Sequence, residues 1–498
     1  MTAKILHASQ VVARWLSSRM AVRILFGLFL VEALWFVFSA QYPMAFDENY
    51  HFGLIQLHAQ QWLPFFTAQP HDAAIYGAVV RDPSYLYHWL MSFPYRLFSA
   101  LTDNQTVIII GLRLINVAIF ALALSLYWRI VRTIGVSRAL TTSLLAVFVL
   151  IPVVPFLAAH INYDNLFFLA IALTVLLTMR LIEGLRERRV DARTLLLLLG
   201  TLFLSCLIKY PFLPICATVV LFAGWYVWRQ KMLSRAGLRS LVAGFGTLSR
   251  IRQVVLVVFV VLSFGLFAER YVANIVTYHN PLPACDAVIS QDECVQYGPY
   301  GRDHIYAQEK PADFHANIFV YIGDWFYGMW YRLFFAINYD YATSPPLLVV
   351  SCLAVVLAAA LLVGIVLRFR LLFAGQPMRQ LLFWIVTGYM LVLFVDGFSA
   401  YKKTGQPVAI NGRYLIPLVP FIFALGGLAW SYILRAKPTL KSAIASVVIG
   451  VFLLQGGGTM TFIIRSGDTW MWDNGTIRTV NRLVRSAAWP FIIGKGIF

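Results

Sequence analysis

Apolar runs of roughly 20 residues recur along most of the chain, and each is long enough, at 1.5 Å per residue, to cross about 30 Å of hydrocarbon. In a bilayer core nothing but the segment itself can satisfy backbone N–H and C=O groups, so such runs are read as α-helices. Eleven are read, at 21–41, 107–128, 139–158, 165–181, 194–209, 211–228, 254–275, 347–367, 381–396, 414–434 and 442–464. Only Lys209-Tyr-Pro211 divides the fifth from the sixth. The composition agrees: 60% of the 498 residues are hydrophobic and 12% are charged, about half the charged fraction of an ordinary soluble domain. A water-soluble globular enzyme is excluded. The expected fold is an all-α polytopic membrane protein of about 11 transmembrane helices.

The formal charge of +18 would by itself suit nucleic acid or an acidic membrane surface. Its distribution says otherwise. With the N-terminus inside, the basic residues of the inner segments are Lys4, Arg14, Arg19 and Arg23, then Arg129, Arg132 and Arg138, then Arg180, Arg186, Arg188, Arg189 and Arg193. Arg229, Lys231, Arg235, Arg239, Arg250 and Arg252 follow, then Arg368, Arg370 and Arg379, and finally Arg435, Lys437 and Lys441. These 24 face three acids, Glu183, Glu187 and Asp191, while the other 16 basic and 19 acidic residues lie elsewhere. That asymmetry is the positive-inside pattern, and it makes the basic excess an orientation signal rather than a nucleic-acid footprint. The basic N-terminus leads into an apolar run too long for a signal-peptide core, so the first helix is expected to be a retained anchor.

The inner loops are short and hold no Gly-rich phosphate cradle. Four regions follow: an N-terminal transmembrane module over 1–275 with a first external loop at 42–106, an external loop at 276–346, C-terminal transmembrane helices over 347–464, and an external tail at 465–498. Chemistry is therefore expected on the outer face. Cys206, Cys216 and Cys352 sit in apolar runs and read as small buried hydrophobes. Cys285 and Cys294 share a polar external loop and are candidates for a disulfide in an oxidising compartment, with two free thiols as the alternative.

Acids and cations gather at the external ends of the runs. Asp47 and Glu48 emerge where the chain leaves the first span, at the start of an expected interfacial helix that runs to Pro64, with His51 one turn from Asp47. An Asp there can equally be a helix cap. The segment from Arg81 to Arg96 carries Tyr87 and His88 among aromatics that suit headgroup depth. Asp164 stands in a short turn after Ala159-His-Ile-Asn-Tyr, again as a site acid or a cap. Arg113, Lys209 and Arg413, the last followed by Tyr414, are the nearby cations, each able to snorkel to headgroups instead. Aromatics at 325–331 and in Trp470-Met-Trp-Asp473 read first as interfacial anchors and second as sugar-stacking surfaces.

Taken in order, these segments resemble one family. Phe-Asp-Glu-Asn-Tyr-His, closing the first span, is similar to the acidic first-loop motif of GT-C glycosyltransferases, the superfamily of the protein O-mannosyltransferases and the lipid A aminoarabinose transferase. Asp-Pro-Ser-Tyr-Leu-Tyr-His-Trp resembles a later segment of that loop, Asn162-Tyr-Asp164 the second-loop acidic position, and Asn411-Gly-Arg-Tyr-Leu-Ile-Pro417 the Gln-Gly-Arg-Tyr segment before a late span. Ser84 stands where Pro is common and Asn411 where Gln is common.

The resemblance implies transfer of a sugar from a polyprenyl-phosphate monosaccharide to a glycan, lipid or protein acceptor on the external face of a bacterial inner membrane. A phosphate leaving group is already a weak base, so one general base suffices: Asp47 is expected to take that role, with inversion, and Glu48 and Asp164 are the other catalytic candidates, orienting the acceptor or Asp47 or holding a divalent ion. His51, Arg81, Tyr87, His88, Arg113, Lys209, Arg413 and Tyr414 are expected to bind substrate. No cofactor is assigned; a divalent cation on Asp47, Glu48 and His51 is a candidate. The partners expected are the lipid-linked donor, the acceptor and membrane lipids, with no nucleic acid. The competing readings are a transporter or flippase for lipid-linked sugar, and a polysaccharide polymerase or ligase.

Overall fold

The computed structural model describes residues 10–45, 47–187, 191–231, 244–334, 336–337, 343–344, 347–467 and 470–494. Lys4, Phe46, Arg188, Arg189, Arg235 and Arg239 lie outside the described residues. Among those described, regular structure is helical except for an antiparallel pairing of Ala336–Ile337 with Thr343–Ser344 and a single bridge between Ala40 and Met471. The main helices are α1 (Arg19–Ser39), α2 (Glu48–His58), α3 (Leu86–Leu101), α4 (Gln105–Thr133), α5 (Arg138–Val149), α6 (Val153–Ala158), α7 (Tyr163–Arg186), α8 (Ala192–Ile208) and α9 (Leu213–Arg229). They continue as α10 (Arg250–Tyr278), α11 (Gly298–Glu309), α12 (Ile318–Phe334), α13 (Leu348–Leu367), α14 (Pro377–Thr404), α15 (Val419–Ile433), α16 (Pro438–Leu454), α17 (Thr459–Arg465) and α18 (Gly475–Ala488).

Among the described residues, eight helical stretches are long and apolar enough to cross a membrane: α1, α4, α7, the 210–229 stretch that holds α9, α10, α13, α14 and the α16–α17 stretch. The other three apolar runs fold as shorter helices, α5, α8 and α15. The shortening has local causes. Pro152 follows the end of α5, so the third run breaks into α5 and α6. The tenth run opens with a 3-10 turn, Gly412–Leu415, before α15 begins. The eleventh breaks at Gly456-Gly-Gly458, where Gly456 and Gly458 have φ of 94° and 60°. A Cβ on Gly458 would collide with the Glu32 carboxylate of α1, which sits at the start of α17 and hydrogen-bonds the Thr459 backbone.

Helix α4 packs on α1 and α7, α7 on α8, α8 on α10, α9 on α14, and α13 on α15. Phe29, Phe120, Phe168 and Tyr127 stack through the centre at ring separations of 5.4, 4.4 and 4.3 Å. The outward faces stay apolar: Val254, Val255, Val257 and Val258 of α10 are all exposed, as suits a helix solvated by lipid. Cys206 is buried, Cys216 half-buried and Cys352 exposed; the expectation of burial fails for Cys352 because α13 turns it to the bundle surface. Asn104 and Asn474 cap α4 and α18 through their side-chain oxygens.

One end of the bundle carries the long loops. There α2 stops at His58, short of Pro64, and α3 follows with Pro94 inside it. The tail returns to the exit of α1, with Gln41 N–H donating to Trp470 O and Trp472 N–H to Ser39 O, both at 2.9 Å. Arg485 of α18 then donates to the carbonyls of Ile463 and Ser466 at 2.7 and 2.8 Å. The 276–346 segment holds the Cys285–Cys294 disulfide, and α12 packs against the Gly412–Leu415 turn.

Candidate functional site

Asp47 precedes α2 but does not cap it. Its φ of 69° puts it in the left-handed region and no backbone N–H reaches its side chain. The carboxylate leaves the helix and accepts from Arg413 Nη2 at 2.8 Å through Oδ2. The side chain is 58% exposed. The same backbone turn removes Asp47 from the face that carries His51, so the expected one-turn pairing of the two side chains does not form.

Arg413 comes from the 3-10 turn that Asn411 caps, its Oδ1 accepting from Arg413 N–H at 3.1 Å. Gly412 is required there, because a Cβ would strike the Met329 carbonyl of α12. Arg413 Nε lies 3.7 Å from Asp164 Oδ2, and Lys209 Nζ donates to Asp164 Oδ1. Asn162, not Asp164, caps α7, which frees the acid to meet cations. Lys209 sits in the break between α8 and the Tyr210–Phe212 turn, with its ammonium 4.5 Å from the Tyr163 ring and 4.6 Å from the Tyr414 ring. Asp47, Arg413, Asp164 and Lys209 thus form one alternating row, buried except at Asp47. Burial pushes the Asp47 carboxyl up, but the Arg413 charge and hydrogen bond, with His160 and Lys209, bring it below the usual range.

Glu48 and Arg113 form a second, closed pair. Arg113 Nε and Nη2 donate to the two carboxylate oxygens at 2.8 and 2.7 Å, and neither side chain is exposed. Glu48 also accepts from Met44 N–H at 2.7 Å and Ile161 N–H at 3.3 Å, while Arg113 donates to Ala40 O at 2.6 Å. Burial raises the Glu48 carboxyl, and the Arg113 charge and hydrogen bond, with His160 and the Met44 N–H, together bring it below the usual range. These contacts tie the exit of α1, the start of α2, the long-loop end of α4 and the turn before α7 together. Arg113 was expected to meet a phosphate and Glu48 to act in catalysis; in this geometry their groups are spent on each other.

His51 Nδ1 and His88 Nε2 are 2.9 Å apart. Both imidazoles are buried and held neutral, pushed well down by burial and then by neighbouring histidines. The Ser84 backbone also hydrogen-bonds His88. With both rings neutral, one of the two facing nitrogens donates and the other accepts. The His51 ring stands edge-on to Tyr163 at 4.4 Å. Tyr87 donates to Asn116 Oδ1 at 3.0 Å, and Asn165 donates to the same oxygen at 3.1 Å, so Tyr87 is a buried wall of the site. Arg81 does not join the row: its partner is Glu269 of α10, at 3.8 Å.

His160 went unrecognised in the sequence although it lies in the quoted turn. It is fully buried, and neither ring nitrogen has a hydrogen-bond partner among the described residues. Burial first, then Arg413 and Arg113 against the opposing Glu48 and Asp47, set its pKa at about 4. Tyr50 and Tyr297 were missed as well. Tyr297, three residues past the disulfide, places its ring 5.9 Å from Tyr50 and so brings the 276–346 segment onto the first loop.

The divalent ion considered for Asp47, Glu48 and His51 does not fit this arrangement. Their polar atoms turn to three different partners, Arg413, Arg113 and His88, and no group of three or more His, Cys, Asp or Glu suited to a metal occurs among the described residues.

No family model matches the chain, and no curated protein matches it. Among solved structures, the chain is similar to ArnT from Cupriavidus metallidurans in the apo state, with 12% identity and a TM-score of 0.43 over 94% of this chain and 73% of that one. It is also similar to the same protein bound to undecaprenyl phosphate, with 13% identity and a TM-score of 0.42 over 95% and 74%.

Proposed function

We propose that the chain is a membrane glycosyltransferase that moves a sugar from a polyprenyl-phosphate monosaccharide to an acceptor hydroxyl at the long-loop end of the bundle. The observation that carries the reading is the row Asp47, Arg413, Asp164, Lys209. It offers an accessible carboxylate, one of whose oxygens is held by Arg413, beside two buried cations at the ends of apolar helices. Asp47 Oδ1 takes the proton of the acceptor hydroxyl as that oxygen attacks the anomeric carbon. The bond from that carbon to the phosphate oxygen breaks on the opposite side, and the configuration inverts. The electron pair leaves with the polyprenyl phosphate, already a weak base, so no acid is needed to protonate it.

Arg413 and Lys209 supply the positive charge that meets the departing phosphate, with Tyr414 packed against both. Asp164 holds the two cations in place. His51, held at Nδ1 by its contact with His88, offers its other ring nitrogen to a sugar or acceptor hydroxyl. Glu48 and Arg113 are positioning residues in this scheme, and Arg81 lies outside it. The inner-loop charge supports an outward-facing site, in a bacterial inner membrane the periplasmic face.

Mass spectrometry of envelope glycolipids, glycans and glycoproteins from cells with and without the protein tests the reading. Loss of one sugar modification with accumulation of its polyprenyl-phosphate form is expected. Unchanged glycoforms on every acceptor would overturn it, and movement of intact lipid-linked sugar across sealed proteoliposomes would favour a transporter.

A further inference from the structure

At the opposite end of α4 and α7 from the site is a cleft of about 350 Å³. Leu176 and Met179 line it with apolar surface, and Arg129, Arg132 and Arg180 bring three guanidinium groups against one acid, Glu183. Arg129 and Arg180 have no carboxylate partner among the described residues, and Arg132 is held by the Val136 carbonyl. A buried donor adds to the demand. The indole N–H of Trp128, which also lines the cleft, has no acceptor among the described residues. A wall rich in donors and cations with a single acid wants a ligand that is all acceptor.

The position says which ligand. From Arg113 to Arg132 along α4, and from Asp164 to Arg180 along α7, the rise at 1.5 Å per residue is about 24–29 Å, close to the thickness of the hydrocarbon core. The cleft therefore lies at headgroup depth in the leaflet opposite the site, between two helices whose outer faces meet lipid. Basic pockets between spanning helices at that depth suit anionic headgroups. We propose that this cleft is a binding site for one anionic phospholipid, whose phosphate sits among Arg129, Arg180 and the Trp128 N–H while an acyl chain runs over Leu176 and Met179. The site is independent of the sugar-transfer reading. By holding α4 to α7 it braces the two helices that carry Arg113 and Asp164 at their other ends.

The test is native mass spectrometry of the full-length protein in detergent, titrated with phosphatidylglycerol, with phosphatidylcholine of the same chains, and with inorganic phosphate. Phosphatidylglycerol is expected to bind one molecule tightly and to resist competition by millimolar phosphate. R129Q/R180Q is expected to weaken it about 30-fold, at the roughly fivefold that each basic residue near an anionic headgroup contributes, while R129K/R180K retains most of the affinity and shows that the fold survives. Equal binding of the two lipids, displacement by free phosphate, or an affinity in R129Q/R180Q within threefold of wild type would overturn the proposal.

Discussion

Replacing either member of the Glu48–Arg113 pair separates a positioning role from a catalytic one. Glu48→Gln leaves the Arg113 guanidinium charged in a place with no exposed surface, and stranding one member of a buried pair costs about 3–5 kcal/mol. Arg113→Met strands Glu48 by the same argument. The double variant removes both charges. It still leaves Met44 N–H, Ile161 N–H and Ala40 O without their charged partners, at roughly 1 kcal/mol each. The two singles should therefore sum to about 6–10 kcal/mol and the double to about 3, a coupling of at least about 3 kcal/mol. The assay is reversible unfolding of the reconstituted protein by titration with denaturing detergent, followed by helical circular dichroism. Singles within about 1 kcal/mol of wild type, or a double equal to the sum, would refute the reasoning. Full stability in Glu48→Gln with turnover abolished would return Glu48 to the chemistry.

Three further outcomes follow from the same geometry. Arg413→Ala removes the charge and the hydrogen bond that do most to offset burial at Asp47, so the acid limb of the pH–turnover curve should move upward, toward and past the usual carboxylate value of about 4; an unmoved limb would detach Asp47 from Arg413. Lys209→Ala should weaken binding of a polyprenyl phosphate, measured on nanodiscs, by about tenfold or more, and unchanged affinity would move the phosphate elsewhere. His160 has a folded pKa of about 4 against about 6.5 unfolded, so the unfolded chain binds the extra proton first. Stability from this group is complete above about pH 6.5 and falls as pH drops toward about 4, by roughly 3 kcal/mol in all. His160→Asn should flatten that slope in pH-dependent unfolding, and an equal slope in both proteins would refute the assignment.

The apolar runs announced the helices because burial of backbone in lipid leaves one local solution, and all eleven fall on helices. Where a run was cut short, the cause was a backbone feature whose effect depends on neighbours. The Gly456–Gly458 break is made by distant neighbours: Leu347 crowds Gly456, the Leu150 carbonyl Gly457, and Glu32, more than four hundred residues earlier, Gly458. The site residues were legible as types near span ends, but their pairing was not. Nothing in Asp47-Glu48 says that adjacent carboxylates diverge, one to Arg413 and the other to Arg113; that follows from the left-handed turn at Asp47. Asp164 escaped a capping role because Asn162 filled it. His160 was overlooked because a lone histidine in a short turn carries no spacing signal, and its importance lies in what surrounds it. The tail's pairing with the exit of α1 left no trace in periodicity, since a single bridge has none.

The central claim is that Asp47 removes the acceptor proton. Single-turnover transfer by Asp47→Asn, in nanodiscs loaded with the lipid-linked sugar that envelope profiling identifies, tests it most directly, with donor binding measured on the same preparation. Transfer is expected to fall by about 10²–10⁴-fold while donor affinity stays within about threefold of wild type. Transfer within tenfold of wild type by a folded, donor-binding Asp47→Asn protein would contradict it.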